Sequence, residues 1–200
     1  MNNKYFNFND GCGPVPASQH SNGGGWVADT ATVASTVYVG PNAMVYGNAT
    51  VYDNASIYGD ARVYNSAEVC GDARVCDNAR VFGSAMVYGN AKVFGYSKVF
   101  GLAKVYDYAR ICGGAKVFGS AQVRGNAWVR GNAKVYEHAE VHSKAVVYGY
   151  AQIFGHALVC GDVNVFGKAW VFGDAKVVKD ARIYGDARVE GVGGDVVVDS

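Results

Sequence analysis

From Val27 to Val189 every sixth residue is Val or Ile, at twenty-eight positions without a break; Ile stands only at 57, 111, 153 and 183. Four residues after each, between positions 31 and 187, stands Ala, with only Val37, Ser97 and Val163 departing. A helix needs apolar residues at steps of three and four, and a period of six scatters them around the helical wheel. Ala-x-Val-x instead alternates with a period of two, the pattern of a short four-residue strand with Ala and Val on its inner side. The second residue after Val is Gly at eighteen of the twenty-eight places and Asn or Asp at five. These residues best tolerate positive φ. Each hexad therefore reads as a strand followed by a corner.

Equal strands joined by equal corners always turn the same way, so they wind into a parallel β-helix in which each strand pairs with one a full turn away. Three hexads close a triangle of eighteen residues. About nine such coils, stacked ~4.8 Å apart, make a prism about 45 Å long. The repeat resembles the hexapeptide-repeat superfamily, whose motif is an aliphatic residue followed four places later by a small one. That resemblance implies an all-β, single-stranded left-handed parallel β-helix, and the handedness comes from it alone. The opening Ser21-Asn-Gly-Gly-Gly-Trp26-Val27 also resembles the Gly-Gly-Trp-Val start of a subgroup of bacterial and phage-borne hexapeptide proteins. The expected organisation is a capping segment over 1–26, the β-helix over 27–189 and a second cap or tail over 190–200. Such caps would cover strand edges that otherwise invite end-to-end growth. Trp26 is a candidate plug over the first coil.

One uninterrupted repeat in 200 residues argues for one domain. No run approaches the eighteen apolar residues of a membrane helix, and Met1-Asn-Asn-Lys-Tyr-Phe-Asn-Phe lacks the apolar core of a signal peptide, so a cytoplasmic location without membrane contact is expected. The five cysteines, at 12, 70, 76, 112 and 160, fit neither a zinc pattern nor a paired framework and are expected to be reduced. A net charge of +1 argues against a globally electrostatic nucleic-acid binder but leaves local patches open.

Sorting residues by position modulo eighteen separates the faces. Between positions 46 and 184, one class of residues following Val reads Tyr46, Tyr64, Phe82, Phe100, Phe118, Tyr136, Phe154 and Phe172, all aromatic. The residues preceding Val on that face include Arg62, Arg80, Lys98, Lys116 and Lys134. Outward rings in an unbroken row form a patch larger than soluble monomers usually expose. Burial in a homo-oligomer would resolve this, and the resemblance implies a trimer. Stacked like charges repel and ask for counter-charge, from the carboxylates of a protein partner or from a polyanion or nucleotide whose bases stack on the rings. The binding residues expected from sequence are thus Tyr64, Phe82, Phe100, Phe118, Tyr136, Phe154 and Phe172 with the five basic residues.

The resemblance also raises an acyltransferase alternative, with an acyl-coenzyme A site between subunits and His138 or His156 as general base. No long loop interrupts positions 27–189 to build such a site, and a non-enzymatic structural or binding role without cofactor is preferred. His138 and His156 are eighteen apart and should stack at one corner with Asp174 next in line. His138 and Asp174 would be about 10 Å apart, so the three cannot share one metal ion directly, and no metal is expected. The similarity to the three-His gamma-class carbonic anhydrases is partial. His142 faces elsewhere, and Thr at 30, 32, 36 and 50 is too sparse for an ice-binding array.

Overall fold

The structure, a computed structural model, describes residues 4–191. Those residues are all β and turn, with no helix, so none is present that could cross a membrane. Parallel strands stack into a β-solenoid of about nine coils. The register is eighteen residues per coil: Arg62 lies opposite Arg80 and Val63 opposite Val81, and every later coil repeats the step. Three faces result. The first carries Val27, Val45 and each eighteenth residue to Val189, the second runs from Thr32–Val33 to Lys176–Val177, and the third from Tyr38–Val39 to Arg182–Ile183.

The strands are shorter than the four residues expected. Most hexads contribute two, such as Arg62–Val63, because the chain bends directly on either side of them. Inter-coil bonding nevertheless continues through the bends. The N–H groups of Tyr64, Ser66 and Glu68 donate to the carbonyls of Val81, Gly83 and Ala85 at 3.0, 2.8 and 2.9 Å, so each hexad is tied to the next coil along its whole length.

Val, Ile and Ala point inward and are fully buried through nearly all coils. The departures from Ala fit the same column: Val37 and Val163 are buried, and buried Ser97 donates its hydroxyl to the Phe94 carbonyl at 2.8 Å. Every corner from Gly47 to Gly185 has positive φ, including the non-glycine residues Asp53, Asn65, Asp77, Asp107, Glu137, Ser143 and Lys179. Four of these are also staples. Asp53, Asp77 and Asp107 accept the N–H of Gly71, Gly95 and Gly125 at 3.0 Å, and Glu137 accepts that of Gly155 at 2.8 Å. Thr30 and Thr36 tie the first coil to the second by donating to the carbonyls of Gly47 and Asp53.

The N-terminal segment extends the first face. Strand β1 (Lys4–Asn7) pairs antiparallel with β2 (Pro14–Gln19), which pairs antiparallel with β3 (Trp26–Ala28), and β3 begins the solenoid. The loop between β2 and β3 closes on the third face, where Gly25 N–H donates to Val39 O and Val39 N–H to Asn22 O, both at 2.9 Å. A Cβ on Gly23 or Gly25 would come within 2.3 Å of a backbone oxygen there, which explains the glycine run before Trp26. Trp26 is not a plug over the core. It lies opposite Met44 on the outer side and stacks on Phe6 at 4.3 Å. Of the expected C-terminal cap, Glu190 and Gly191 continue the last strand beside Phe172 and Gly173, and residues 192–200 lie outside the described residues.

Candidate functional site: the aromatic and basic face

The eight rings from Tyr46 to Phe172 form one continuous stack on the first face. Neighbouring centroids lie 4.8 to 5.1 Å apart and no pair is tilted by more than 7°. The strand repeat sets this distance, so each ring sits face to face with the next. Ala28 holds the rung above Tyr46, and Phe8 reaches from beyond β1 to fill that rung, stacking on Tyr46 at 4.8 Å while only 1% exposed. Phe8 lies outside the repeat, so no period points to this ninth ring. Stacking limits how much of the outward row meets solvent. Tyr46 is buried and the seven rings below it are half-buried, showing mainly their edges to solvent.

The basic column stands in register beside the rings: Arg62, Arg80, Lys98, Lys116 and Lys134 occupy successive coils. A recurrent diagonal contact links a residue following Val to the one preceding Val a coil later, sixteen positions on. The Tyr106 hydroxyl reaches Gln122 at 3.2 Å, Tyr136 reaches Gln152 at 3.3 Å, and Arg124 pairs with Glu140 at 3.3 Å. The upper end of the basic column uses the same contact: burial pushes the Tyr46 and Tyr64 hydroxyls up, while the guanidinium of Arg62 counters this at Tyr46 and that of Arg80 at Tyr64. Arg62 also donates to the Phe8 carbonyl at 3.4 Å, tying the cap to the face. In the middle the contact has no chemistry. Phe82, Phe100 and Phe118 carry no hydroxyl for Lys98, Lys116 and Lys134, and among the described residues no carboxylate lies within 4.0 Å of these three ammonium groups.

The other candidates stand elsewhere. His138 and His156 stack at 4.9 Å and 5°, and His156 Nδ1 lies 3.9 Å from Asp174, all on an exposed corner. Among the described residues no three potential metal ligands converge. Lys144 pairs with Asp162, eighteen residues on at the same corner, at 3.9 Å. The cysteines are free. Burial pushes the thiols of Cys70, Cys76 and Cys160 up, toward the protonated form. A second basic column, Arg74, Lys92 and Arg110 on the third face, escaped the sequence reading. Sorting the residues before Val on all three faces would have shown it.

Four segments of the chain, residues 43–57, 55–71, 73–89 and 181–191, match the family described as YdcK Beta solenoid repeat. The chain is similar to that β-solenoid repeat family at both ends of its repeat region. No curated protein matches it.

Proposed function

We propose that this protein is a rigid, non-enzymatic β-solenoid that serves as a binding scaffold, and that its aromatic and basic face receives a linear polyanion along the solenoid axis. The observation carrying this reading is the middle of the face, where Lys98, Lys116 and Lys134 stack in register without a carboxylate partner beside Phe82, Phe100 and Phe118. Cations repeated at strand spacing repel one another and are stabilised by an anion of matching repeat. Half-buried ring edges add apolar contact. His138 and His156 stand on an exposed corner and take no part in this reading. Long-chain inorganic polyphosphate tests the reading. Binding should weaken steeply with salt, and Lys116→Glu with Lys134→Glu should flatten the salt slope by about two. An unchanged slope would refute it.

A second reading is association between copies of the chain through the same face, with a trimer as the superfamily's common state. Tyr96 and Leu102, 72% and 61% exposed, flank Phe100 at the two corners of one coil and favour an apolar contact there. This reading expects a smaller mass by light scattering for Phe100→Lys, and is abandoned if the wild-type mass is that of one chain.

A further inference from the structure

Two grooves with the same chemistry lie on different faces of the solenoid. The first, of about 370 Å³, is lined by Asp60, Arg62, Asn78, Arg80, Tyr96 and Lys98. The second, of about 190 Å³, is lined by Asp72, Arg74, Asn90, Lys92, Tyr108 and Arg110. Each residue of the second lies twelve positions after its counterpart in the first. Two hexads are two-thirds of a coil, so the same set of groups recurs on the third face. The second face breaks the pattern, with Ser66 and Glu68, Ser84 and Met86, and Leu102 and Lys104 in the corresponding places.

In each groove three cations occupy successive coils, with Cα partners Arg62, Arg80 and Lys98 in one and Arg74, Lys92 and Arg110 in the other. None of the six lies within 4.0 Å of a carboxylate among the described residues. An acidic corner, Asp60 or Asp72, bounds each row at its N-terminal end. A tyrosine closes the other end. Tyr96 and Tyr108 are 72% and 60% exposed, and neither has a ring partner among the described residues, unlike the stacked ladder rings. Asn78 and Asn90 place an amide between the acid and the ring.

We infer that the two grooves are equivalent sites for a nucleotide, with the base on the tyrosine ring and the phosphates along the cations. A ring presented edge-free to solvent stacks on any base, guanidinium and ammonium groups bind phosphate oxygens, and the asparagine amide can hydrogen-bond a sugar or base edge. The carboxylate at the far end limits how many phosphates fit. The larger groove falls within the usual volume of ligand sites and the smaller one below it. The first groove shares Arg62, Arg80 and Lys98 with the aromatic and basic face and rests in part on that reading, whereas the second shares no residue with it.

Titration calorimetry of the full chain at low ionic strength, with adenosine triphosphate as probe, should give two sites per chain. Arg62→Glu with Arg80→Glu should remove one site, and Arg74→Glu with Lys92→Glu the other. Tyr96→Ala and Tyr108→Ala should each weaken one site about tenfold, and phenylalanine at the same position should restore it. Inorganic tripolyphosphate should bind more weakly than the nucleotide, and adenosine should not bind. A short oligothymidylate binding more tightly than the nucleotide would identify a single strand as the source of the ligand, and weaker binding a free nucleotide. Lys116→Glu with Lys134→Glu must leave both sites, although it disables the polyanion row. Equal affinity for tripolyphosphate and nucleotide, a stoichiometry unaffected by either pair of reversals, or loss of both sites on Lys116 and Lys134 reversal would overturn the inference.

Discussion

At a left-handed corner a Cβ points toward the backbone of the next coil. On Gly71 it would lie 2.9 Å from Gly89 N, and on Gly101 3.0 Å from Gly119 N. The two positions are thus alike below and differ above. Gly71 N–H is held by the Asp53 carboxylate, whereas Gly101 lies beneath Gly83, which has no side chain. Gly101→Ala should cost about 1–2 kcal/mol for the left-handed backbone. Gly71→Ala should cost about as much, because its methyl points toward Gly89 and away from the Asp53 staple. Urea unfolding should give the two variants the same loss within about 0.5 kcal/mol. At His142, burial lowers the pKa below its usual 6.5, with Arg124 acting in the same direction and Glu140 against it. The unfolded chain therefore takes up this proton first as pH falls, and stability declines from about pH 6.5 downward. His142→Gln should reduce that decline in a series of melting temperatures against pH, and an unchanged slope would assign it to other groups.

Each hexad is an element too small to be stable alone, so what it contributes depends on its neighbours. Stacked rings add about 0.2–1 kcal/mol per pair, and the ladder draws this from seven successive pairs plus the Phe8 contact. Phe8 is the sharpest test of the cap. It fills the rung that Ala28 leaves empty, and Phe8→Ala should release about 3 kcal/mol of packing. The loss should appear as faster hydrogen exchange confined to β1 and β2, while the coils from Val45 onward keep their protection. The ladder itself was legible in the sequence, because period and outward position follow from Val and the corner residues. The ring exposure was not legible, since face-to-face stacking at strand spacing hides surface that a residue list counts as outward. Phe8 and the hairpin were hidden for another reason: an antiparallel cap obeys no period. The diagonal contacts of Tyr106 with Gln122 and Arg124 with Glu140 lie sixteen apart, a spacing that becomes visible only once the eighteen-residue coil is combined with the two-residue offset across each Val.

Across the whole molecule, the fold and the aromatic and basic face follow different periods. Val, Ala and the corners repeat every six residues, whereas the aromatic ladder and the basic columns repeat every eighteen. Removing one hexad, residues 103–108, should therefore leave a solenoid. Leu102 would be followed by Ala109, the inward columns would remain Val and Ala, and the corner above each later residue would still be a glycine or a residue that tolerates its neighbour. Yet every residue after the cut would turn by one face. Phe118 and Lys116 would move to the third face, and Arg124 would follow Phe100 on the first, ending the ladder there. Removing a full coil, residues 103–120, would instead bring Tyr136 directly beneath Phe100 and Lys134 beneath Lys98. Because stability in a solenoid is nearly a sum of neighbour terms, both deletions should melt cooperatively within a few degrees of the parent. Polyphosphate binding separates them: the eighteen-residue deletion should retain it with a salt slope lower by about one, and the six-residue deletion should lose most of it. Equal binding by the two would show that the anion does not read the alignment of the first face.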